Sequence, residues 1–344
     1  MAPIRKPVGR DKFGAQFGAF KTQVYNDPPR VSHRTISWNA SGGLVATGAN
    51  DKTIRIWNPE RASTKSQTEL RGHSHSPDKV LFNPVREFEL ASCSSDGVRF
   101  WDTRSRACIS KLAVDGDPFT LTWSSDGSVS WLAPRSDDNL IPIETRSPST
   151  PTLLPSHKQD RQTNQTTFSN AYPPSDLLIT QGDGTIKILD YPSFHPIHSL
   201  SAHTSSCLAI AYSPAGNYVA VGGSDAMISL WDTKTWVCRR TVSSASSGPI
   251  RGLSWSWDGR YIVGASEEVT SSGGAVGGGG GEAQGLEIYH AESGEVVHTV
   301  PTGGAGIPAV AWHPSRYWLA YTVVDETRSK AGGSGLRIVS GPSM

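Results

Sequence analysis

An aromatic residue followed by a turn-forming Asn, Ser or Pro recurs seven times along this 344-residue chain, and that spacing constrains the fold more than any other property of the sequence. The sites are Trp38-Asn39, Phe82-Asn83-Pro84, Trp123-Ser124, Phe168-Ser169-Asn170, Tyr212-Ser213-Pro214, Trp255-Ser256 and Trp312-His313-Pro314. Successive aromatics lie 44, 41, 45, 44, 43 and 57 residues apart. A period of ~40–45 residues accommodates four short strands, and such a unit buries its apolar faces only by stacking on its neighbours. The one long interval contains the Gly-rich tract from Gly273 to Gly281 and reads as an ordinary unit plus an insertion. Seven units use almost the whole chain, with no linker between any two, so a single domain is expected.

The segment Leu208 to Asp232 shows how one unit is built. Leu208, Ile210 and Tyr212 alternate with smaller residues, the period of two that divides side chains between the faces of a strand. Ser213-Pro214-Ala215-Gly216 makes a turn, Tyr218 to Val221 a strand covered on both faces, Ser224-Asp225 the next turn, and Met227 to Trp231-Asp232 a third strand. Cys238 to Val242 supplies the outer strand. The fold class is therefore all-β, a seven-bladed WD40 β-propeller spanning residues 13–340. The last unit ends at Leu336 to Val339 with no outer strand after it, and residues Phe17 to Tyr25 are expected to fill that place, closing the ring and removing two sheet edges. Residues 1–12 read as a flexible basic extension, 269–285 as a Gly-rich insertion, and the Ser/Thr/Pro-rich stretch of about 146–167 as an outer loop. The third unit is degenerate: Val129 to Ala133 and Leu140 to Glu144 form strands, but no Trp-Asp closes them.

Asp occupies the same turn at Asp51, Asp96, Asp183 and Asp225, one or two repeats apart. In WD-repeat proteins, which these units resemble, this Asp bonds a His of the preceding loop, the His bonds a strand hydroxyl, and the hydroxyl reaches the Trp. The second unit offers all four residues, His73, Ser92, Asp96 and Trp101. The first has Thr47, Asp51 and Trp57 without a clear His. The fifth has His203, Asp225 and Trp231, with Val221 at the hydroxyl position, so its network is expected to lack a member. These residues are read as structural, not catalytic.

Reactive chemistry is not legible elsewhere. The Gly-rich tract lacks the Gly-Lys-Ser/Thr ending of a phosphate loop. His73-Ser74-His75 has no second ligand pair at metal-binding spacing, and no G-x-S-x-G nucleophile elbow sits between a strand and a helix. No catalytic residue, cofactor or metal is expected, and the chain is read as a non-enzyme. Cys93, Cys108, Cys207 and Cys238 are scattered without a C-x-x-C pair and read as reduced, small, buried side chains. No apolar run reaches the roughly 20 residues that span a bilayer, and the first residues lack the apolar core of a secretory signal, so no membrane association is expected. Lys+Arg 32 against Asp+Glu 31 gives a net charge of +1, so any RNA contact is expected to be weak or indirect. Arg5, Lys6, Arg10 and Lys12 leave two readings open, a solvated tail or a weak phosphate or partner contact.

The stretch Gly182 to Asp232 narrows the family. It resembles the fourth and fifth repeats of THO complex subunit 3, in which a unit ends in Leu-x-Tyr-Pro and is followed by a Pro-containing outer strand and Ala-His. Here those features are Leu189-Asp190-Tyr191-Pro192, Pro196 and Ala202-His203. Asp51-Lys52-Thr53 to Trp57, Arg71-Gly72-His73, Trp101-Asp102 with Cys108-Ile109, and Trp312-His313-Pro314 extend the likeness from about Phe13 to Val339. The chain departs from the pattern in the third unit, the Gly-rich insertion and the Ala331-Gly332-Gly333 region. The resemblance implies a non-catalytic nuclear scaffold subunit of THO within the TREX assembly, which couples transcription and mRNP assembly to mRNA export. Its implied partners are the large helical THO subunits and the mRNA-export machinery. The rim bearing the Asp turns is the expected partner-binding surface, with Asn50, Lys52, Asp78, Lys79 and Arg251 near it. The same fold also serves ubiquitin-ligase substrate receptors, histone-tail readers and propeller hydrolases, and these stand as alternatives.

Overall fold

The computed structural model describes residues 7–26, 28, 30–61, 68–134, 138–147, 149–170, 175–244, 248–268, 285–303, 305–324 and 335–342. Arg5, Lys6, residues 269–284 of the Gly-rich insertion and Ala331-Gly332-Gly333 lie outside them. The described residues form seven antiparallel sheets, six of four strands and one of five. The seven recurring aromatics end the seven innermost strands: His33–Trp38, Lys79–Phe82, Pro118–Trp123, Thr163–Phe168, Cys207–Tyr212, Gly252–Trp255 and Val310–Trp312.

Turn chemistry explains why Asn or Ser follows the aromatic. The Leu44 N–H donates to Asn39 Oδ1 (2.9 Å), and the N–H groups of Val129, Tyr218 and Tyr261 donate to the hydroxyls of Ser124, Ser213 and Ser256 (3.0 Å each). Each bond ties the end of an inner strand to the start of the next one across a tight turn. The aromatics themselves join blades. Trp123, Trp255 and Trp38 donate their indole N–H to the carbonyls of Leu81 (3.3 Å), Ala211 (3.0 Å) and Ala311 (3.0 Å), each the residue before the aromatic of the preceding blade. The last of these bonds runs from blade one to blade seven.

The core is divided among seven blade-to-blade interfaces. Leu177 and Ile179 of one strand pack toward blade three, while Leu178 between them packs with Cys207, Val219 and Val221 of blade five. A strand buried on both faces thus reads as a continuous apolar run. Ile36, Trp38, Val45 and Trp57 of blade one pack with Ala320, Leu336 and Ile338 of blade seven, so the apolar ring is continuous. The outer strand of blade seven is Lys21–Asn26, antiparallel to Gly335–Ser340 from Lys21↔Ser340 to Asn26↔Gly335. The sheet is completed from the other end of the chain, as expected, but by a strand that begins at Lys21.

Three expectations need correction. The residues before that strand are a helix, Arg10–Gly18, not a flexible extension followed by a strand from Phe17. Phe13 and Phe17 lie one turn apart and are fully buried between blades six and seven against Tyr261, Trp312 and Tyr317. Gly14 permits this close approach, because a Cβ there would stand 2.4 Å from the Val297 carbonyl oxygen. Second, the stretch around 146–167 is not simply a loop. It supplies two short outer pieces, Thr152–Leu153 and His157–Lys158, both paired with Asn139–Glu144, and then opens the inner strand of blade four at Thr163. An unpaired edge needs hydrogen-bond partners, and Pro155, which has no N–H to give, separates the two pieces. Third, Cys93 and Cys207 are buried, but Cys108 is exposed on an outer strand.

Candidate partner-binding rim and channel mouth

In blade two, four side chains form one directional chain. The Trp101 indole donates to Ser92 Oγ (2.8 Å), Ser92 Oγ lies 2.7 Å from His73 Nε2, and His73 Nδ1 lies 2.6 Å from Asp96. Asp96 can only accept, so Nδ1 carries the proton that faces it; Nε2 of the neutral imidazole then accepts the Ser92 O–H, and Ser92 Oγ accepts the Trp101 N–H. This arrangement suits a neutral imidazole. Burial lowers the His73 pKa, against the pull of Asp96. Burial would raise the Asp96 pKa, but bonds from His73, the Ser74 N–H and Arg99 hold it well below the usual range. The loop ahead of blade two is thereby fixed to the turn between its middle strands.

Blade five closes the same chain from a different strand. His203 Nδ1 lies 2.9 Å from Asp225, and His203 Nε2 and Trp231 Nε1 meet at Ser229 Oγ, both at 2.9 Å. Val221 does occupy the expected hydroxyl position, yet Ser229 is its cross-strand partner and presents a hydroxyl on the same face. The network is complete, not short of a member. The signal was available as a Ser two residues before Trp231, hence on the same side of the strand. In blade one Trp57 donates to Thr47 Oγ1 (2.8 Å), and buried Arg55 holds Asp51 through both guanidinium nitrogens (3.2 and 2.5 Å) where blades two and five use histidine. Asp183 of blade four caps its own turn by accepting the Thr185 N–H (3.1 Å).

These networks lie on the rim where the inner strands begin. At its centre a cavity of about 430 Å³ opens, and its wall is one position of the repeat, the residue four before each inner aromatic. Running round the ring from blade one, those residues are Arg34, Asp78, Phe119, Asn164, Leu208, Arg251 and Pro308. Lys79 and Glu267 also line it. Of the five rim residues singled out in the sequence, Asp78, Lys79 and Arg251 converge on the cavity, whereas Asn50 and Lys52 do not line it. Asn50 instead braces its neighbours, accepting the Ser32 N–H (3.0 Å) and donating to the Arg30 carbonyl (3.1 Å). Lys52 is exposed. Sequence reasoning missed Arg34, Phe119 and Leu208, although counting back from the aromatics would have found them. Among the described residues, no three His, Cys, Asp or Glu side chains converge as metal ligands would, and no helix is long and apolar enough to cross a membrane.

A WD domain, G-beta repeat family model matches residues 27–58 and 194–232. Over 313 residues the chain is 31% identical to THO complex subunit 3 of Arabidopsis thaliana, a match covering 90% of this chain and 92% of that protein. The chain belongs to the THO complex subunit 3 family. It is also 29% identical over 313 residues to WD repeat-containing protein AAC3 of Dictyostelium discoideum, covering 83% of this chain and 60% of that one. The β-propeller domain of Myceliophteria thermophila Cps50 (Swd1) superposes with a TM-score of 0.75 over 94% of this chain and 100% of that chain. At 17% identity this is a likeness of fold alone. The Tyr-Pro feature that marks the THO-like fourth repeat follows the strand Thr185–Asp190. There Tyr191 packs edge-on against Phe168 (5.3 Å between centroids) and Phe194 (5.6 Å), on the side of blade four that faces blade three.

Proposed function

We propose that this propeller is a non-catalytic scaffold subunit of the nuclear THO complex, acting within TREX to couple transcription and mRNP assembly to mRNA export. The observation that carries the reading is the end-to-end match to a THO subunit 3, which takes in 90% of this chain and 92% of the relative. The architecture suits the role, because a closed ring fixes a rigid disc while the connections on its rims vary. Large helical THO subunits are the expected partners, with the rim around Asp78, Lys79 and Arg251 as the contact surface, and any contact with RNA is indirect or weak.

The chemistry of the channel mouth weighs against the histone-tail alternative. A Lys- and Arg-rich tail needs a cluster of acids, whereas here Arg34, Lys79 and Arg251 stand against Asp78 and Glu267. Affinity purification of the tagged protein from nuclear extract, followed by size exclusion, tests the assignment. Co-elution with the large helical THO subunits is expected. Recovery with a cullin adaptor, or alone, would refute it.

A further inference from the structure

The seven residues around the channel mouth are not a uniform ring. Arg251 and Arg34 flank Pro308, and Lys79 lies just inside the wall on blade two, so this arc carries three cations against the two acids Asp78 and Glu267 and is cationic on balance. Across the opening, Phe119 and Leu208 flank Asn164, so the facing arc is mainly apolar. Among the described residues neither Arg34 nor Lys79 has an ion-pair partner, and Arg251 meets Glu267 only at 4.0 Å with both side chains about half exposed (51% and 47%). Burial pushes the Lys79 ammonium below its ordinary pKa, against the pull of Cys93. A concave site with cations on one side attracts a carboxylate, and the opposite wall offers desolvation to an apolar side chain.

We propose that the channel mouth binds an extended peptide segment that presents a carboxylate beside a bulky apolar side chain. The carboxylate sits between Arg34 and Arg251 above Lys79, and the apolar side chain rests on Phe119 and Leu208. A cavity of about 430 Å³ holds a few side chains, not a folded domain. RNA fits less well, because a line of phosphates crossing the mouth would also pass Asp78 and Glu267, whereas one carboxylate is a point charge. The site stands whichever assembly the propeller joins.

Fluorescence anisotropy on the full chain tests this with a labelled peptide, Gly-Glu-Leu-Asp-Phe-Glu-Leu-Gly. Controls are the same peptide with Lys for its acids, the same peptide with Ser for its apolar residues, and a single-stranded oligouridylate. Saturable binding of the first peptide alone is expected. The pair Arg34→Gln and Arg251→Gln should weaken it by about tenfold or more, roughly the effect of losing one good charge-assisted contact. Phe119→Ser should weaken it severalfold, and Leu208→Asn on the same wall gives the same readout if Phe119→Ser misfolds. Lys234→Glu, exposed and outside the cavity, should leave it unchanged. The proposal fails if the acidic-apolar peptide does not saturate, if the Ser peptide binds equally well, or if the arginine pair has no effect. It also fails if oligouridylate binds more tightly and loses affinity in the same variants.

Discussion

In blade two the middle strands and the preceding loop are joined by a relay of buried polar groups, Trp101 to Ser92 to His73 to Asp96. At the junction of blades six and seven the joint is a wedge of aromatic rings from the other end of the chain. Phe13 stacks on Tyr261 at 3.7 Å between centroids and meets Tyr317 edge-on at 5.4 Å, while Phe17 meets Trp312 at 5.6 Å. The two joints fail differently. A polar relay is directional, and losing one member leaves buried partners unsatisfied. An aromatic wedge is held by area and shape, so it is damaged by a cavity and is largely indifferent to protons. Blades two and five carry the relay within an uninterrupted stretch of chain, whereas the docking of Arg10–Gly18 between blades six and seven rests on apolar surface, which does not depend on one exact hydrogen-bond geometry.

Truncating the wedge should have the largest effect. Phe13 has 0% exposure, and Phe13→Ala should cost about 3–5 kcal/mol, the range for large-to-small changes in a tight core. Urea unfolding should show a lower midpoint. Arg10→Ala on the same helix removes only the exposed pairs with Asp11 and Glu295 and should leave the midpoint in place. Equal effects from the two substitutions would mean that the helix is not what holds the closure.

The relay should respond next. Ser92→Ala strands both the Trp101 indole and His73 Nε2, at about 1–2 kcal/mol per unsatisfied group, so a loss of about 2–4 kcal/mol is expected. A loss below about 1 kcal/mol, measured in the same way, would show that water or a neighbour replaces the hydroxyl.

The two joints also differ in how well they could be read beforehand. The seven aromatics set the period, and each does end an inner strand; in blades one, three, five and six the Asn or Ser after it makes the turn bond, and in blade seven His313 accepts the Ser315 N–H instead. The blade-two relay was legible as residue types at fixed offsets. The wedge was not. Phe13 and Phe17 at four-residue spacing were the signal for a helix, but Gly14 and Gly18 argue locally against one, and only packing on blades six and seven overrides that preference. The cavity wall was half legible: the rim was located, but which rim residues face inward follows from counting back from the aromatics, and that position carries Arg in two blades and a different residue in each of the other five.

Blade five allows the relay to be rewired. Ser229→Val should cost about 2 kcal/mol by orphaning Trp231 Nε1 and His203 Nε2. Val221 faces position 229 across the strands as Thr47 faces Arg55 in blade one, where Thr47 alone serves the indole. Adding Val221→Thr to Ser229→Val should therefore recover about half of the loss. No recovery in a double-mutant cycle would mean that the hydroxyl position is not interchangeable between the two strands.

The smallest expected effect separates the joints by pH. Protonating His73 at Nε2 would turn that nitrogen from the acceptor of the Ser92 O–H into a second donor onto Ser92 Oγ, which already accepts from Trp101. The folded His73 pKa is lowered by burial, so the unfolded chain takes up the proton first. The stabilisation is therefore full above the ordinary value of 6.5 and is lost as the pH falls below it. Asp96, also depressed in the fold, adds a loss of the same sign only below its ordinary 3.8. Urea midpoints should fall between pH 7.5 and 5.5, and His73→Asn should be less stable throughout but show a shallower fall. Phe13→Ala should keep most of the wild-type slope, because the rings Phe13 touches carry no proton that titrates over that range, burial raising the Tyr261 hydroxyl to about 12, and the imidazole of the wedge, His298, packs on Phe17 instead. Identical slopes for wild type and His73→Asn would show that the fold does not lower the His73 pKa.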